Sequence, residues 1–213
     1  MVSVRTFAFN ALQENTHVIY EPGGEAVIID PGNDSPGELL TLDDFLTEQE
    51  ADPVMIVNTH CHVDHVLGAE AVKEKYNIPF CIHRLEVEVL AAVKVYAPTF
   101  GFMTFNEPVP DSFISEGDTF KVGDSTWRTL FVPGHSPGHI AFYEENLGKL
   151  IAGDILFRNS IGRTDLPGGD HETLIRGIKE KLFNLPDDVE VYSGHGPNTT
   201  IGYEKKNNPF LRD

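Results

Sequence analysis

One short segment concentrates the side chains most able to do chemistry. His60, His62, Asp64 and His65 stand within six consecutive positions, directly after the apolar run 54–57. Histidines at i and i+2 cannot share one face of a helix, but they can converge from a loop at the end of a strand. Imidazole nitrogens and carboxylate oxygens suit zinc, iron and manganese. The segment therefore predicts two metal half-sites built side by side.

Three more ligand-type residues stand where other strand-like runs end. His135 lies in a turn rich in proline and glycine, and Asp154 and His195 each close a run of strand-like sequence. Scaffolds of this kind place their chemistry at strand ends. The chain has nine histidines, so a polar loop with satisfied imidazoles is the alternative interpretation. The three further ligands in matching settings favour a metal site instead.

The ordered set HxHxDH, His, Asp, His resembles the signature of the metallo-β-lactamase superfamily across essentially the whole chain. Runs 162–165 (Gly-Arg-Thr-Asp) and 194–197 (Gly-His-Gly-Pro) make it similar to short single-domain relatives of glyoxalase II, the hydroxyacylglutathione hydrolase. The resemblance implies an α+β fold, an αββα four-layer sandwich. It implies one domain over residues 1–213, without the C-terminal helical domain of full-length glyoxalase II.

The resemblance also implies a ligand assignment. One divalent metal ion is held by His60, His62 and His135, the other by Asp64, His65 and His195, and Asp154 bridges the two. Zinc is the expected metal, with iron or manganese as alternatives.

The implied reaction is hydrolysis of a small-molecule thioester such as S-D-lactoylglutathione by a hydroxide that bridges the two metals. Asp64, beside this nucleophile, is expected to accept or orient the proton of the attacking water. Arg163 stands where glyoxalase II has a lysine, so it is expected to bind an anionic part of the substrate. The alternative for Arg163 is a salt bridge with Asp165 that fixes the loop.

Other members of the superfamily leave alternatives open. Persulfide dioxygenases use a single iron and also carry a Gly-Arg-Thr-Asp run, but their last histidine normally has a different context. A true β-lactamase lacks an aspartate at the place of Asp154, and the flavodiiron reductases have a glutamate in place of His62. A lactonase-type hydrolase and an inactive metal-binding module are lesser alternatives.

Composition narrows the class of partner and the compartment. Asp and Glu number 33 against 16 Lys and Arg, a net charge of −17, which argues against a nucleic-acid partner. The first residues show no signal peptide, and no apolar stretch is long enough to cross a membrane. Two cysteines are too few for a disulfide framework and indicate a cytoplasmic protein. The oligomeric state stays open.

Several further polar residues have structural interpretations. Cys61 is expected in the core or beside the metal ligands, and Asp30 is expected either to orient a ligand or to cap a turn. Four histidines are expected to be structural: His17, His83, His139 and His171.

The elements that must position these residues follow from periodicity. Strands are expected at 2–9, 16–21, 26–30 and 54–58, and again between 112 and 154. Helices are expected at 36–49, 68–76, 84–95 and 170–184, the third with Leu85, Val89 and Ala92 inward. Residues 97–111, with three prolines and three phenylalanines, are expected either to cover the site or to form an ordinary surface loop. These patterns alone give an α plus β protein of one domain.

Overall fold

A computed structural model describes residues 1–212 of the chain. By its internal contacts the chain divides into two compact units. The first unit comprises Met1–Ile114 and Lys121–Asp124, and the second comprises Ser115–Phe120 and the chain from Ser125 onwards. Each unit carries part of the expected ligand set.

The first unit contains a six-stranded mixed sheet and four α-helices. The strands, in sheet order, are β1 (Ser3–Phe9), β2 (Glu14–Tyr20), β3 (Glu25–Ile29), β4 (Asp52–Val57), β5 (Phe80–Ile82) and β6 (Ser112–Phe113). The helices are α1 (Pro36–Glu48), α2 (Val63–Val66), α3 (Ala69–Tyr76) and α4 (Val87–Tyr96). The pairs β1–β2 and β2–β3 are antiparallel, whereas β3 to β6 run parallel.

Helix α1 begins where local sequence places a start. The Ser35 hydroxyl accepts a hydrogen bond from the backbone N–H of Glu38, and Pro36 occupies the first turn, where its missing N–H costs nothing. Leu42 and Leu46 are buried, as the predicted inner face requires. The predicted helix over 36–49 is confirmed to within one residue.

The predicted inner face of the third helix is correct at Val89, which packs against the core of the first unit, and wrong at Leu85 and Ala92, which are exposed. A 3₁₀ turn over Arg84–Glu86 precedes α4, so the helix does not continue the spacing read from Leu85. Leu85 is 53% exposed, and Leu90 and Val93 are the residues that α4 buries. A 3₁₀ turn advances 120° per residue instead of 100°, which shifts the inner face.

The second unit contains a small hairpin, two α-helices and the other large sheet, apart from Lys121 and Val122 of that sheet, which belong to the first unit. In sheet order the strands are β14 (Thr199–Thr200), β13 (Glu190–Ser193), β10 (Lys149–Gly153), β9 (Ile140–Glu144), β8 (Ser125–Phe131) and β7 (Thr119–Val122). The hairpin pairs β11 (Leu156–Phe157) with β12 (Ser160–Ile161), and the helices are α5 (His171–Gly177) and α6 (Ile201–Asn207). A π-helical segment, Ile178–Leu182, continues α5. Together the two segments cover residues 171–182 of the helix predicted over 170–184.

Strand direction brings three loops to one edge of this second sheet. β10 and β13 are parallel, with Gly153 opposite Ser193. β9 is antiparallel to both β8 and β10, so β8 runs in the same direction as β10. The carboxyl ends of β8, β10 and β13 therefore share an edge.

Each unit has its own apolar core. The core of the first unit includes Val18, Ile28, Ile56, Leu42 and Val72. The core of the second includes Leu150, Val191, Leu174, Ile178 and Ile201. Burial of each such side chain contributes roughly 1.5–3 kcal/mol, which makes these cores the main support for the loops at the sheet edges. Within residues 1–212, no helix is both long and apolar enough to cross a bilayer.

Candidate metal centre

The HxHxDH segment lies at the end of β4, as predicted. His60 and His62 stand in the loop, and Asp64 and His65 lie in the short helix α2 that follows. The Asn58 amide donates to the backbone carbonyls of His60 (3.2 Å) and His65 (2.7 Å), which fixes the loop across its width. Sequence analysis missed this role for Asn58, because an asparagine at a strand end is an ordinary turn residue.

The structure brings the four side chains of this segment together. The ring centroids of His60 and His62 are 4.8 Å apart, and those of His60 and His65 are 4.1 Å apart. His65 Nε2 lies 3.8 Å from Asp64 Oδ2. Three of the four residues are buried, and His62 is half-buried.

Asp30 orients two of these imidazoles. It is fully buried, and its Oδ2 accepts hydrogen bonds from the Thr59 hydroxyl (2.6 Å) and from His65 Nδ1–H (3.1 Å). The Thr59 hydroxyl has one hydrogen, which is given to Asp30, so Thr59 Oγ1 accepts from His60 Nδ1–H at 3.0 Å. One carboxylate thus sets the tautomer of both rings and makes Nε2 the acceptor nitrogen. Of the two expectations for Asp30, the structure shows the orienting role, toward the ligand candidates His60 and His65.

A second buried carboxyl group stands behind His65. Glu14 is fully buried, with Oε1 3.7 Å from His65 Nδ1 and Oε2 2.9 Å from the Thr16 hydroxyl. Burial raises the pKa of both Glu14 and Asp30, while His65 acts in the opposite direction on each. Gly32 makes room for this arrangement, because a Cβ there would lie 2.0 Å from Glu14 Oε2 and 2.4 Å from the Asp64 carbonyl oxygen. Glu14 was missed by sequence analysis.

In the second unit, His135, Asp154 and His195 follow β8, β10 and β13. Asp154 Oδ2 lies 3.5 Å from His135 Nε2 and 3.7 Å from His195 Nε2. A single carboxylate oxygen therefore faces an imidazole on each side. The prediction that these three residues stand at strand ends is correct.

Hydrogen bonds that involve the backbone position two ligand candidates of the second unit, His135 and Asp154. His135 Nδ1–H donates to the carbonyl oxygen of Arg163 at 2.7 Å, which leaves Nε2 as the acceptor nitrogen. The Asp154 backbone N–H donates to His139 Nε2 at 3.0 Å, so His139 holds the main chain at Asp154 and is structural, as predicted. Gly162 lets the chain approach both ligands, since a Cβ there would lie 1.9 Å from the Asp154 carbonyl oxygen and 3.0 Å from His135 Nδ1.

Arg163 forms the loop salt bridge that was one of its two expected roles. Its Nε and Nη2 each lie 2.7 Å from an oxygen of Asp165, and both side chains are exposed. These hydrogen bonds lower the pKa of Asp165 to about 2. The residue therefore acts on the site through its carbonyl, while its side chain lies at the surface.

The remaining singled-out residues are structural. Cys61 is buried in the core of the first unit, and burial raises the pKa of its thiol well above the usual range. Its backbone N–H donates to Oε2 of the buried Glu86 at 2.7 Å, a contact that no sequence pattern indicated. His17 contacts the Thr6 hydroxyl at 2.9 Å, and His83 accepts from the Leu85 backbone N–H.

The segment 97–111 is fastened to the helices of the first unit. Lys73 Nζ donates to the Val109 carbonyl (2.6 Å) and pairs with Asp111 (2.8 Å), and Lys94 pairs with Glu107 (3.0 Å). Phe102 is buried in the core of that unit. These contacts hold the segment against α3 and α4.

Comparisons with known proteins identify the family of the chain. The family model of the metallo-β-lactamase superfamily matches residues 10–195. The hydroxyacylglutathione hydrolase GloC of Haemophilus influenzae is 36% identical over 212 residues, which cover 99% of this chain and 98% of that protein.

Solved structures of similar fold also belong to this comparison. The BLEG-1 B3 metallo-β-lactamase has a TM-score of 0.90 and 36% identity, covering 99% of this chain and 100% of its own. TTHA1623 in a di-iron-bound form has a TM-score of 0.86 and 36% identity, covering 97% of this chain and 100% of its own. The predicted α+β fold of the metallo-β-lactamase type is confirmed, and the similarity to hydrolases supports an enzyme with divalent metal ions. The chain belongs to the metallo-β-lactamase superfamily.

Proposed function

We propose that the chain is a metal-dependent hydrolase of thioesters, with S-D-lactoylglutathione as the reference substrate. The observation that carries the proposal is the placement of Asp154, whose Oδ2 lies within 3.7 Å of imidazole nitrogens on two different loops. That arrangement suits a carboxylate shared by two cations. Similarity to GloC over nearly the whole of both chains supports the thioester as substrate class.

We assign one ion to His60, His62 and His135, the other to Asp64, His65 and His195, and the bridging role to Asp154. The side chains fit such ions, because three of the imidazoles give Nδ1–H to a protein oxygen and present Nε2 as a ligand atom. When bound, two divalent ions supply Lewis-acid polarisation and a nucleophilic hydroxide at neutral pH. Zinc is the proposed metal, with iron or manganese as alternatives.

The chain's own residues are proposed to handle the proton of the attacking water and to orient the imidazoles. The Asp64 carboxylate is 11% exposed and lies beside His65, so it can accept or orient the proton of the attacking water. A leaving thiolate, with an ordinary pKa of ~8.5, needs little acid assistance. Asp30, Thr59 and the Arg163 carbonyl hold the imidazoles in one tautomer.

Arg163 is proposed to contact an anionic part of the substrate. Asp165 engages Nε and Nη2 of its guanidinium, so substrate binding at those atoms requires exchange of partners. Both side chains are more than half exposed, where such an exchange costs little. A small-molecule substrate, a cytoplasmic location and a single domain complete the proposal.

The test offers metal-loaded protein three substrates in parallel: lactoylglutathione, glutathione persulfide and a β-lactam. Thioester cleavage that Asp154→Ala abolishes is the expected result. Asp187→Ala is the matched control, because it removes an exposed carboxylate of the same unit that forms a surface ion pair with Lys205 at 2.6 Å.

The alternative is a persulfide dioxygenase with a single iron, which the Gly-Arg-Thr-Asp run 162–165 favours. Oxygen uptake with the persulfide and no thioester cleavage would overturn the hydrolase in its favour. β-Lactam turnover would keep the hydrolase class and change the substrate. No turnover of any substrate by metal-loaded protein would support a binding module.

A further inference from the structure

A small hairpin links the three ligand candidates of the second unit. The hairpin formed by β11 and β12 begins at Leu156, two residues after Asp154, and ends at Ile161, two residues before Arg163. The Phe157 ring lies edge-on to the His195 ring, with centroids 6.2 Å apart. The Arg163 carbonyl, at the far end, accepts the hydrogen bond from His135 Nδ1. The position of this hairpin therefore bears on Asp154, His135 and His195 together.

The hairpin cannot hold this position by its own pairing. Each of its strands has two residues, in the register Leu156–Ile161 and Phe157–Ser160. A two-stranded hairpin is at best marginally stable alone, even when it is longer than this. Leu156 and Ile161 pack in the core of the unit, and external hydrogen bonds fix the rest of the hairpin.

Helix α6 and the residue after it supply such bonds. Glu204 Oε2 accepts from the Asn159 backbone N–H at 3.0 Å, at the tip of the hairpin. Asn208 Nδ2 donates to the Ser160 carbonyl at 2.9 Å and to Glu204 Oε2 at 2.8 Å. Asn159 has a φ of +60°, a left-handed conformation that asparagine adopts more readily than most residues and that suits the tip of a short hairpin.

The side chains that make these contacts are buried from solvent. Glu204 and Asn208 are both fully buried, and Glu204 Oε1 also accepts from the Thr199 hydroxyl. A buried carboxylate that is hydrogen-bonded on both oxygens holds its partners within narrow limits, because loss of any bond leaves a buried polar group unsatisfied.

We propose that Glu204 and Asn208 are positioning residues for the metal centre. They act through the hairpin, on the main chain that carries Asp154 and on the carbonyl that orients His135. The inference rests on the ligand roles in the proposed function. It assigns part of the metal affinity to a helix that contributes no ligand of its own.

The first test is Glu204→Gln, which keeps the shape of the side chain and replaces one acceptor oxygen by a donor. We expect the dissociation constant for zinc to rise roughly tenfold, the lower end of what loss of a ligand-orienting partner costs. We also expect a changed visible spectrum of the cobalt-substituted protein. Ile201→Val is the matched control: Ile201 lies in the same helix and is fully buried in the core, so this change costs stability without removing a hydrogen bond to the hairpin.

The second test needs no variant. If the anchor favours metal binding, metal binding must favour the anchor by the same factor. Hydrogen exchange of the Asn159 amide should therefore slow when zinc is added to the unaltered protein. Exchange at the Gly117 amide, in the same unit and bonded to the Thr129 carbonyl, is the reference.

The outcomes separate the two proposals. Unchanged zinc affinity and cobalt spectrum in Glu204→Gln, or unchanged Asn159 exchange on adding zinc, would overturn the positioning role. If Glu204→Gln does not fold, Asn208→Ala and the exchange measurement decide. Zinc binding with the expected coupling but without thioester cleavage would overturn the proposed reaction and leave the positioning role intact. Failure of the unaltered protein to bind metal would overturn both.

Discussion

The two units orient their ligand candidates by different means. In the first unit, four candidates stand within six positions, and a buried carboxylate, Asp30, fixes two imidazoles with Thr59. In the second unit the candidates are far apart in sequence, at 135, 154 and 195; the Arg163 carbonyl orients His135, and the His139 ring holds the main chain at Asp154. The comparison teaches that a compact motif can share one orienting side chain, whereas dispersed ligands depend on how the backbone is held.

The largest effect is expected at Asp154, the residue proposed to bridge the two metal ions. Unaltered protein should bind close to two metal ions per chain, the content of a dinuclear hydrolase. Asp154→Ala should disrupt both ions and lower kcat/KM by at least ~10³-fold, the scale for loss of a major electrostatic group. Elemental analysis and thioester kinetics check this. A stoichiometry of one that does not rise on adding zinc, iron or manganese would contradict the bridging role.

The second prediction compares the two hydrogen-bond acceptors that orient imidazoles, the Asp30 carboxylate and the Arg163 backbone carbonyl. Asp30→Asn keeps shape but places a donor near Thr59 and His65, so zinc affinity should fall by roughly 10–100-fold. Arg163→Ala removes a side chain but keeps the carbonyl that His135 uses, so zinc affinity should stay within about twofold. Competition with a chromophoric chelator measures both. Equal losses in the two variants would show that the distinction is wrong.

A third variant tests the backbone of the second unit directly. Gly162→Ala places a Cβ 1.9 Å from the Asp154 carbonyl oxygen, which forces the main chain to move. We expect a loss of about 1–3 kcal/mol in the free energy of unfolding and lower metal content. Gly148→Ala is the control, because Gly148 has a φ of +60° and a Cβ there would meet no atom within 4 Å. That variant should lose stability without losing metal, and denaturant midpoints and elemental analysis separate the two results.

The smallest effects concern the exposed pair Arg163–Asp165. If Arg163 binds substrate, Arg163→Ala should raise KM by less than ~10-fold with kcat nearly unchanged, as for uniform binding. Asp165→Ala should not raise KM, because it releases the guanidinium. Loss of thermal stability in both variants with unchanged KM would instead support a purely structural loop salt bridge.

The same pair gives a pH dependence of known sign. The folded pKa of Asp165 is about 2, below its ordinary unfolded value of ~3.9. A carboxyl with a lowered folded pKa adds stability above the unfolded value, and this contribution is lost as pH falls from about 4 towards 2. It should be small, because both side chains are exposed. Acid unfolding of the unaltered protein and of Asp165→Asn, compared at pH 6 and pH 3, measures it.

Sequence predicted the parts of the molecule whose chemistry is local. The ligand candidates were visible because imidazoles and carboxylates stood at strand ends, and the helix over 36–49 was visible from its cap and spacing. The roles of Glu14, Glu86 and Glu204 could not be read, because an isolated glutamate becomes an orienting group only when distant segments pack around it. The phase of α4 failed because a 3₁₀ turn gives no distinct periodic signal over three residues. The assignment of ligands to ions and the single domain stay predictions.

The peptide acceptor of His135 has a consequence for how such a protein can change over generations. Every residue type at position 163 keeps the backbone carbonyl oxygen that accepts from His135, and only proline would remove the backbone N–H. Position 163 can therefore explore new side chains at the surface while the imidazole stays aligned. Under the proposed roles, substrate preference is free to drift at position 163, whereas any substitution of Asp30 would weaken metal binding.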